Sequence, residues 1–117
     1  MGQVVTFNSL VGYQLLRRRK ELNLDQATVS VESGISQPVL SRLEKGAASI
    51  SIDQLFMVCK ALKCSPSKVL QSVEVDLSKL DKSQQVEVKT TKEVDNSGAL
   101  LAGAAIGTAL AIILASK

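Results

Sequence analysis

The sequence contains no histidine and no tryptophan, and only two cysteines and two prolines, among its 117 residues. Without histidine, the thiols of Cys59 and Cys64 cannot complete a plausible zinc site. The acidic side chains form no cluster, so the chain has little from which to build the active site of a hydrolase or a transferase. We therefore expect neither an enzyme nor a bound metal or cofactor.

Aromatic side chains are also scarce, since Phe7, Tyr13 and Phe56 are the only three. The hydrophobic core must therefore be aliphatic, and the chain length allows one small domain with appendages. The net charge of +3 is spread unevenly, because residues 1–73 carry nine Lys or Arg against five Asp or Glu. This modest excess of positive charge suits contact with phosphate groups.

The segment Leu24–Gly46 organises the first part of the chain. Asp25 is a predicted N-cap of one short helix, and Gly34 supplies the left-handed backbone conformation at which a helix often ends. Ser36 is a second predicted N-cap, with Pro38 in the first turn of the next helix, where a missing N–H costs nothing. A helix, a glycine turn and a second helix with a polar outer face form the helix-turn-helix pattern.

Three motifs of this segment resemble those of the lambda-repressor/Cro-like helix-turn-helix proteins, the XRE family. They are Leu24-Asp25-Gln26, Gly34-Ile35-Ser36, and the closing set Ser41, Glu44 and Gly46. The resemblance extends from about Val11 to Val73 and implies an all-α domain of five short helices around one core. It also implies a sequence-specific DNA-binding protein that acts as a homodimer.

The resemblance further implies roles for individual side chains on double-stranded DNA. Gln26 is expected to bind a phosphate and to support Gln37, which would read a base such as adenine. Arg42 is expected to grip a guanine with two hydrogen bonds. A partly buried ion pair between Arg19 and Glu44 is expected to tie the first helix to the third. The other predicted DNA contacts are Ser36, Pro38, Ser41, Lys45, Arg17 and Arg18, the last two lying either on phosphates or on a solvated face.

Periodic apolar residues predict the remaining helices. The first runs over about residues 9–22, and a fifth runs over residues 65–73. The fourth, capped by Ser51, is predicted to bury a stripe of apolar residues, namely Ile52, Leu55, Phe56, Cys59 and Leu62. Ahead of the first helix, Val4-Val5 is either a ragged arm or a brief strand.

Residues 74–98 change character, with alternating charges, frequent serine and threonine, and no persistent helical stripe. We predict a flexible polar linker here, in which Val86 and Val88 suggest a short strand and Val75, Leu77 and Leu80 could dock on the head. The predicted domains are therefore a helix-turn-helix DNA-binding domain (1–73), a polar linker (74–98) and a hydrophobic helix (99–117).

The stretch Ala99–Ser116 has 18 uncharged, mostly apolar residues. As a helix it would be about 27 Å long, close to the ~30 Å core of a bilayer. Gly103, Gly107 and Ala111 recur at every fourth position and form a ridge along which two helices can pack closely. The tail is therefore either a C-terminal anchor in the inner membrane, with the head in the cytoplasm, or a soluble helix that makes the chain oligomeric.

The most direct function is a sequence-specific transcriptional regulator, a repressor of phage or mobile-element type, tethered to the membrane if the tail is an anchor. A membrane scaffold of the RodZ type, which binds protein rather than DNA, is one alternative. Such a scaffold need not keep Gln26, Gln37, Ser41 and Arg42 together, as this chain does. An antitoxin of a toxin–antitoxin pair is another alternative, and a neighbouring toxin gene would indicate it.

Overall fold

The computed structural model describes residues 3–97 and 102–115, and most of them are helical. In chain order the elements are β1 (Gln3–Thr6), α1 (Phe7–Glu21), α2 (Gln26–Ser33), α3 (Gln37–Lys45), α4 (Ile52–Ala61), α5 (Pro66–Ser83), β2 (Val86–Lys89), α6 (Thr91–Ser97) and α7 (Ala102–Ala115). The predicted, mainly helical architecture is therefore confirmed. The two short strands are an addition to the all-α prediction.

Local side-chain chemistry sets the starts of the helices α2 to α5. Asp25, Ser36, Ser51 and Ser65 each cap one of these helices, as predicted, by accepting a hydrogen bond from the backbone N–H three residues further on. The side chain of Gln54 accepts a bond from the N–H of Ser51 at 2.9 Å, which completes the predicted capping box. Each helix start is thus determined by residues within one turn of it.

Two glycines allow α1 and α3 to approach each other closely. A Cβ atom on Gly12 of α1 would collide with the carbonyl oxygens of Leu43 and Glu44 in α3. Gly46 ends α3 with a left-handed φ of 74°, and a Cβ there would overlap Ser9. This contact holds one side of α3 against α1 and leaves the other side toward solvent.

The predicted core stripe of α4 is wrong at two of its five positions. The side chains of Ile52 and Phe56 are 82% and 58% exposed, whereas the other three predicted residues are buried. Val58 and Ala61 complete the buried face in their place. The predicted stripe and the observed buried residues both repeat at three- and four-residue intervals, so periodicity alone could not choose between these two sets. The side of α4 that carries Phe56 therefore faces solvent.

Most of residues 74–97, which lie in the stretch predicted as a flexible linker, form regular structure instead. The helix α5 continues to Ser83, and its buried side chains in this part are Asp76 and Leu80. The side-chain amide of Gln14, in α1, donates to the carboxylate of Asp76 at 2.7 Å. The coil prediction failed because a buried carboxylate interrupts the apolar pattern of the helix, and its partner lies far away in the sequence.

Val4-Val5, for which the sequence left an arm or a strand open, lies in a strand, and this strand pairs with the one suggested at Val86 and Val88. β1 and β2 form a parallel two-stranded sheet in which Val5 lies opposite Val88. The side chain of Val5 is fully buried, and Val86 is buried as well. This sheet joins the start of the chain to the segment that follows α5.

The described part of the hydrophobic tail, α7, packs against β1 and α5. Ala109 and Ile113, one helical turn apart, are buried in this contact. Of the predicted ridge, Ala111 is exposed, whereas the burial of Gly103 and Gly107 lies outside the described residues. In the part of the chain that the structure describes, no helix has both the length and the apolar character required to cross a membrane.

Candidate nucleic-acid interface

A short turn at residues 34–36 joins α2 to α3. Gly34 ends α2 in the left-handed conformation, with a φ of 76°. Ile35 is buried within the turn, and its carbonyl accepts a hydrogen bond from the hydroxyl of Ser30 in α2. At the other end of α2, hydrogen bonds from Thr28 hold the pKa of Asp25 below its usual value, so this cap is charged at neutral pH.

The inner side of α3 is held by a buried ion pair. The guanidinium of Arg19 donates to both carboxylate oxygens of Glu44, with Nε–Oε2 at 2.7 Å and Nη2–Oε1 at 2.9 Å. A third donor, Nη1, reaches the carbonyl of Leu24 just before α2. Both charged residues are less than 10% exposed, and the hydrogen bond to Glu44 raises the pKa of Arg19. The ion pair implied by the resemblance therefore connects α1, α3 and the entry to α2.

Gln26, the first residue of α2, belongs to the same network. Its side-chain nitrogen donates to Oε1 of Glu44 at 2.9 Å, rather than to Gln37 as the resemblance implied. Glu44 therefore accepts three hydrogen bonds, two from Arg19 and one from Gln26. The network fixes the N-terminus of α2 beside α3, while a phosphate contact by Gln26 remains a prediction.

The outer side of α3 presents polar and charged side chains in two rows. Pro38, Arg42 and Lys45 are all exposed and follow at intervals of four and three residues, which places them in one row along the helix. Exposed Gln37 and half-buried Ser41 form a second row that continues to Glu44, so they lie on the side nearest the start of α2. The exposed cap residue Ser36 stands at the N-terminal end of both rows. These six residues share one surface, which we call the α3 face.

Arg17 and Arg18, also predicted to contact DNA, lie elsewhere. Arg18 donates to the carbonyls of Leu62 and Lys63, at 3.0 and 3.1 Å, and so satisfies the C-terminal end of α4. Both arginines also lie within 4 Å of the carboxylate of Glu21. They line a groove of ≈ 740 Å³ between α1 and the start of α5. Arg18 therefore contacts the end of α4 and Arg17 pairs with Glu21 within α1, and neither residue belongs to the α3 face.

Two residues that support the α3 face were missed in the sequence. Gly12 permits the close approach of α1 to α3, and a lone glycine inside a helical pattern was the available signal. The side chain of Asn8 accepts a hydrogen bond from the N–H of Ile50 at 3.1 Å and so holds the loop that follows α3. Nothing near Asn8 in the sequence indicates this contact, because its partner lies more than 40 residues away.

The geometry of the α3 face suits recognition more than chemistry. Its side chains offer an amide, hydroxyls and two positive charges, which are hydrogen-bond donors and acceptors for base edges and phosphates. Among the residues that the structure describes, no three histidine, cysteine or acidic side chains are grouped so that they could hold a metal ion.

A family model described as helix-turn-helix matches residues 15–69 of the chain. Repressor protein C2 of Salmonella phage P22 is 33% identical over 62 residues, which cover 53% of this chain and 29% of that protein. An uncharacterized HTH-type transcriptional regulator, y4dJ of Sinorhizobium fredii, is 39% identical over 56 residues, which cover 48% of this chain and 73% of that protein. The chain thus spans less than a third of the length of the phage relative.

Solved structures with the same fold include the clp gene regulator ClgR of Corynebacterium glutamicum. One ClgR chain superposes with a TM-score of 0.56 at 28% identity, covering 58% of this chain and 88% of that one. A second ClgR structure gives a TM-score of 0.57 and covers 80% of this chain and 96% of that one. At 22% identity, this second likeness concerns the fold alone.

Proposed function

The chain belongs to the helix-turn-helix family, and on that premise we propose that it is a DNA-binding transcriptional regulator. The observation that supports this function is the arrangement of α3. Its back is held by buried Leu40 and Leu43 and by the Arg19–Glu44 ion pair, while five of the six residues of the α3 face are exposed and the sixth, Ser41, is half-buried. An α-helix about 10–12 Å wide fits the major groove of B-DNA, which is about 12 Å wide.

The positions on the α3 face suggest which side chains contact bases and which contact phosphates. Gln37 stands in the first turn of α3, the part of a recognition helix that contacts base edges, and its amide can pair with adenine. Arg42, one turn further on, can donate two hydrogen bonds to a guanine. Lys45, in the last turn, is placed for a phosphate contact that carries no sequence information.

We propose that the regulator acts as a repressor, by occupying a promoter site, because one of its relatives is named a repressor. A single α3 face reads only about half of such a site. Two chains would present their recognition helices one DNA turn apart, about 34 Å, on a site with matching two-fold symmetry. The proposed active form is therefore a homodimer on double-stranded DNA.

The membrane tether, the scaffold role and the antitoxin role remain predictions of the sequence. The described part of the tail, α7, buries Ala109 and Ile113 against the rest of the fold, and this contact assigns it a structural role. The scaffold and the antitoxin are alternatives to the DNA-binding regulator, whereas the membrane tether is compatible with it.

Selection of bound duplexes from a random pool, followed by binding titrations at several salt concentrations, tests the proposal. We expect Arg42→Ala to relax the preference at one base position and to weaken binding by about 1–3 kcal/mol. We expect Lys45→Ala to weaken binding to all sequences alike and to reduce the salt slope by about 1. Arg17→Ala is the matched control, because Arg17 lies beside α5. Equal base preferences for Arg42→Ala and the parent would refute the role of the α3 face.

A further inference from the structure

The solvent-facing side of α4 is unusually apolar for this chain. Seven large hydrophobic side chains are exposed among the described residues, and three of them, Ile52, Phe56 and Met57, lie on this one helix. Phe56 is 58% exposed, compared with 37% for Phe7. A set of neighbouring apolar side chains on a short helix indicates a contact that the single chain does not make.

Two opposite charges lie on α4, one before and one after Phe56 and Met57. Asp53 and Lys60 are both exposed and lie seven residues apart, so they stand nearly in line along α4, about 10.5 Å from each other. Phe56 and Met57 occupy the middle, at equal distances in sequence from the two charges. Neither Asp53 nor Lys60 takes part in the ion pairs found within the described ranges. We call Ile52, Asp53, Phe56, Met57 and Lys60 the α4 surface.

We propose that the α4 surface is where two copies of this chain meet, with the two α4 helices antiparallel across a two-fold axis between Phe56 and Met57. In a two-fold interface the same patch is used on both chains, so it must be complementary to itself. The antiparallel arrangement places Asp53 opposite the partner's Lys60, and Lys60 opposite the partner's Asp53. It also buries both Phe56 side chains at the centre.

The charge pattern favours a second copy over other occupants of this surface. One Asp and one Lys give no net charge, whereas a DNA backbone or an anionic lipid surface would require an excess of positive charge. A parallel pairing of the helices would bring like charges together, so the pattern also selects the antiparallel orientation. The order of charges along α4, negative then positive, is thus complementary to its own reverse across the proposed axis.

The interface is small, so the dimer should be weak. Five residues on each side fall well short of the roughly 20–30 per side of a standard stable interface. We therefore expect association in the micromolar range or weaker, strengthened when both chains bind one DNA site. The inference deepens the proposed function, which requires two chains per site, but the association itself is measured without DNA.

Charge reversal tests the pairing, with sedimentation equilibrium of the full chain as the measurement. In Asp53→Lys each pair of residues 53 and 60 across the interface becomes Lys against Lys, and in Lys60→Asp each such pair becomes Asp against Asp. We expect either change to weaken dimerisation by about tenfold. An equimolar mixture of the two variants restores opposite charges at both cross pairs, so it should form a heterodimer with close to the parental affinity. Glu74→Lys, an exposed reversal on α5, is the control and should leave dimerisation unchanged.

The mixture separates the proposed contact from a folding defect. Asp53 lies in the first turn of α4, where a negative charge stabilises the helix, so Asp53→Lys also lowers helix stability slightly. Mixing cannot repair a destabilised monomer, whereas it does restore a complementary interface. A parent that stays monomeric, or two variants that stay monomeric when mixed, would overturn the inference. A dimer that shows no preference for any duplex would instead count against the proposed function alone.

Discussion

The buried carboxylate of Glu44 is the single group on which the position of α3 most depends. We expect Glu44→Gln to destabilise the fold by about 3–5 kcal/mol, because the change leaves the charge of Arg19 buried without a counter-charge. Glutamine keeps the size of the side chain, so the loss comes from charge and hydrogen bonding rather than from packing. The side chain of Glu44 accepts three hydrogen bonds, two of them from Arg19 and one from Gln26.

The burial of this ion pair is the reason for expecting a large loss of folding stability. Glu44 and Arg19 are 6% and 8% exposed, so water cannot replace the lost partner. Since small domains are stable by only about 5–15 kcal/mol, the predicted loss is a large fraction of the total. At about 4 °C per kcal/mol, the midpoint of thermal unfolding should fall by roughly 12–20 °C.

Denaturant unfolding followed by circular dichroism measures the effect. Glu21→Gln is the matched control, because Glu21 faces Arg17 at 3.7 Å with both side chains more than half exposed, and such pairs contribute at most about 1 kcal/mol. The double variant Arg19→Met with Glu44→Leu removes both charges, so it should cost far less than the two single changes combined. If Glu44→Gln costs no more than Glu21→Gln, the reasoning about the buried pair is refuted.

Two further predictions concern buried titratable groups. Burial raises the pKa of Asp76 despite the hydrogen bond from Gln14, so the folded chain binds the carboxyl proton more tightly than the unfolded chain does. The free energy of unfolding therefore falls as pH rises from the pKa of the unfolded chain toward the pKa of the folded chain. We therefore expect Asp76→Asn to stabilise the fold at neutral pH and to flatten the pH dependence of unfolding in that window; an unchanged pH slope would contradict this. Burial also raises the pKa of the Cys59 thiol to about 12. Iodoacetamide should therefore label half-buried Cys64 in the folded protein and Cys59 only after denaturation. Peptide mass mapping measures the labelling of each cysteine. Faster native labelling of Cys59 would contradict the placement of α4.

The features that could be predicted from the sequence depend on residues close together in it. Asp25, Ser36 and Ser51 cap helices because each side chain meets an N–H only three residues further on. Gly34 ends α2 through its own backbone conformation. The placement of Gln37, Pro38 and Arg42 on one exposed face follows from the same local geometry, although their roles on DNA remain predictions.

The features that could not be predicted depend on distant partners. The parallel pairing of β1 with β2 joins residues more than 80 positions apart, and neither strand is long enough to indicate its partner. Asp76 has the composition of a surface residue, and only the amide of Gln14, 62 residues earlier, makes its burial possible. The same applies to Arg18, whose side chain donates to the carbonyls of Leu62 and Lys63, more than 40 residues further on.

The apolar patterns of α4 and α7 together show what such a pattern encodes. In α7, for which the sequence left a membrane anchor or an oligomerising helix open, Ala109 and Ile113 are buried within the described part of the chain. In α4 the residues Ile52 and Phe56 are predicted to lie in the core, but both side chains are exposed in the part of the chain that the structure describes. An apolar periodicity specifies which side of a helix avoids water and leaves the identity of the covering surface open. Because the described core of this chain closes without Phe56, the apolar side of α4 is open to a partner, and its self-complementary charges are the ground on which we propose a second copy.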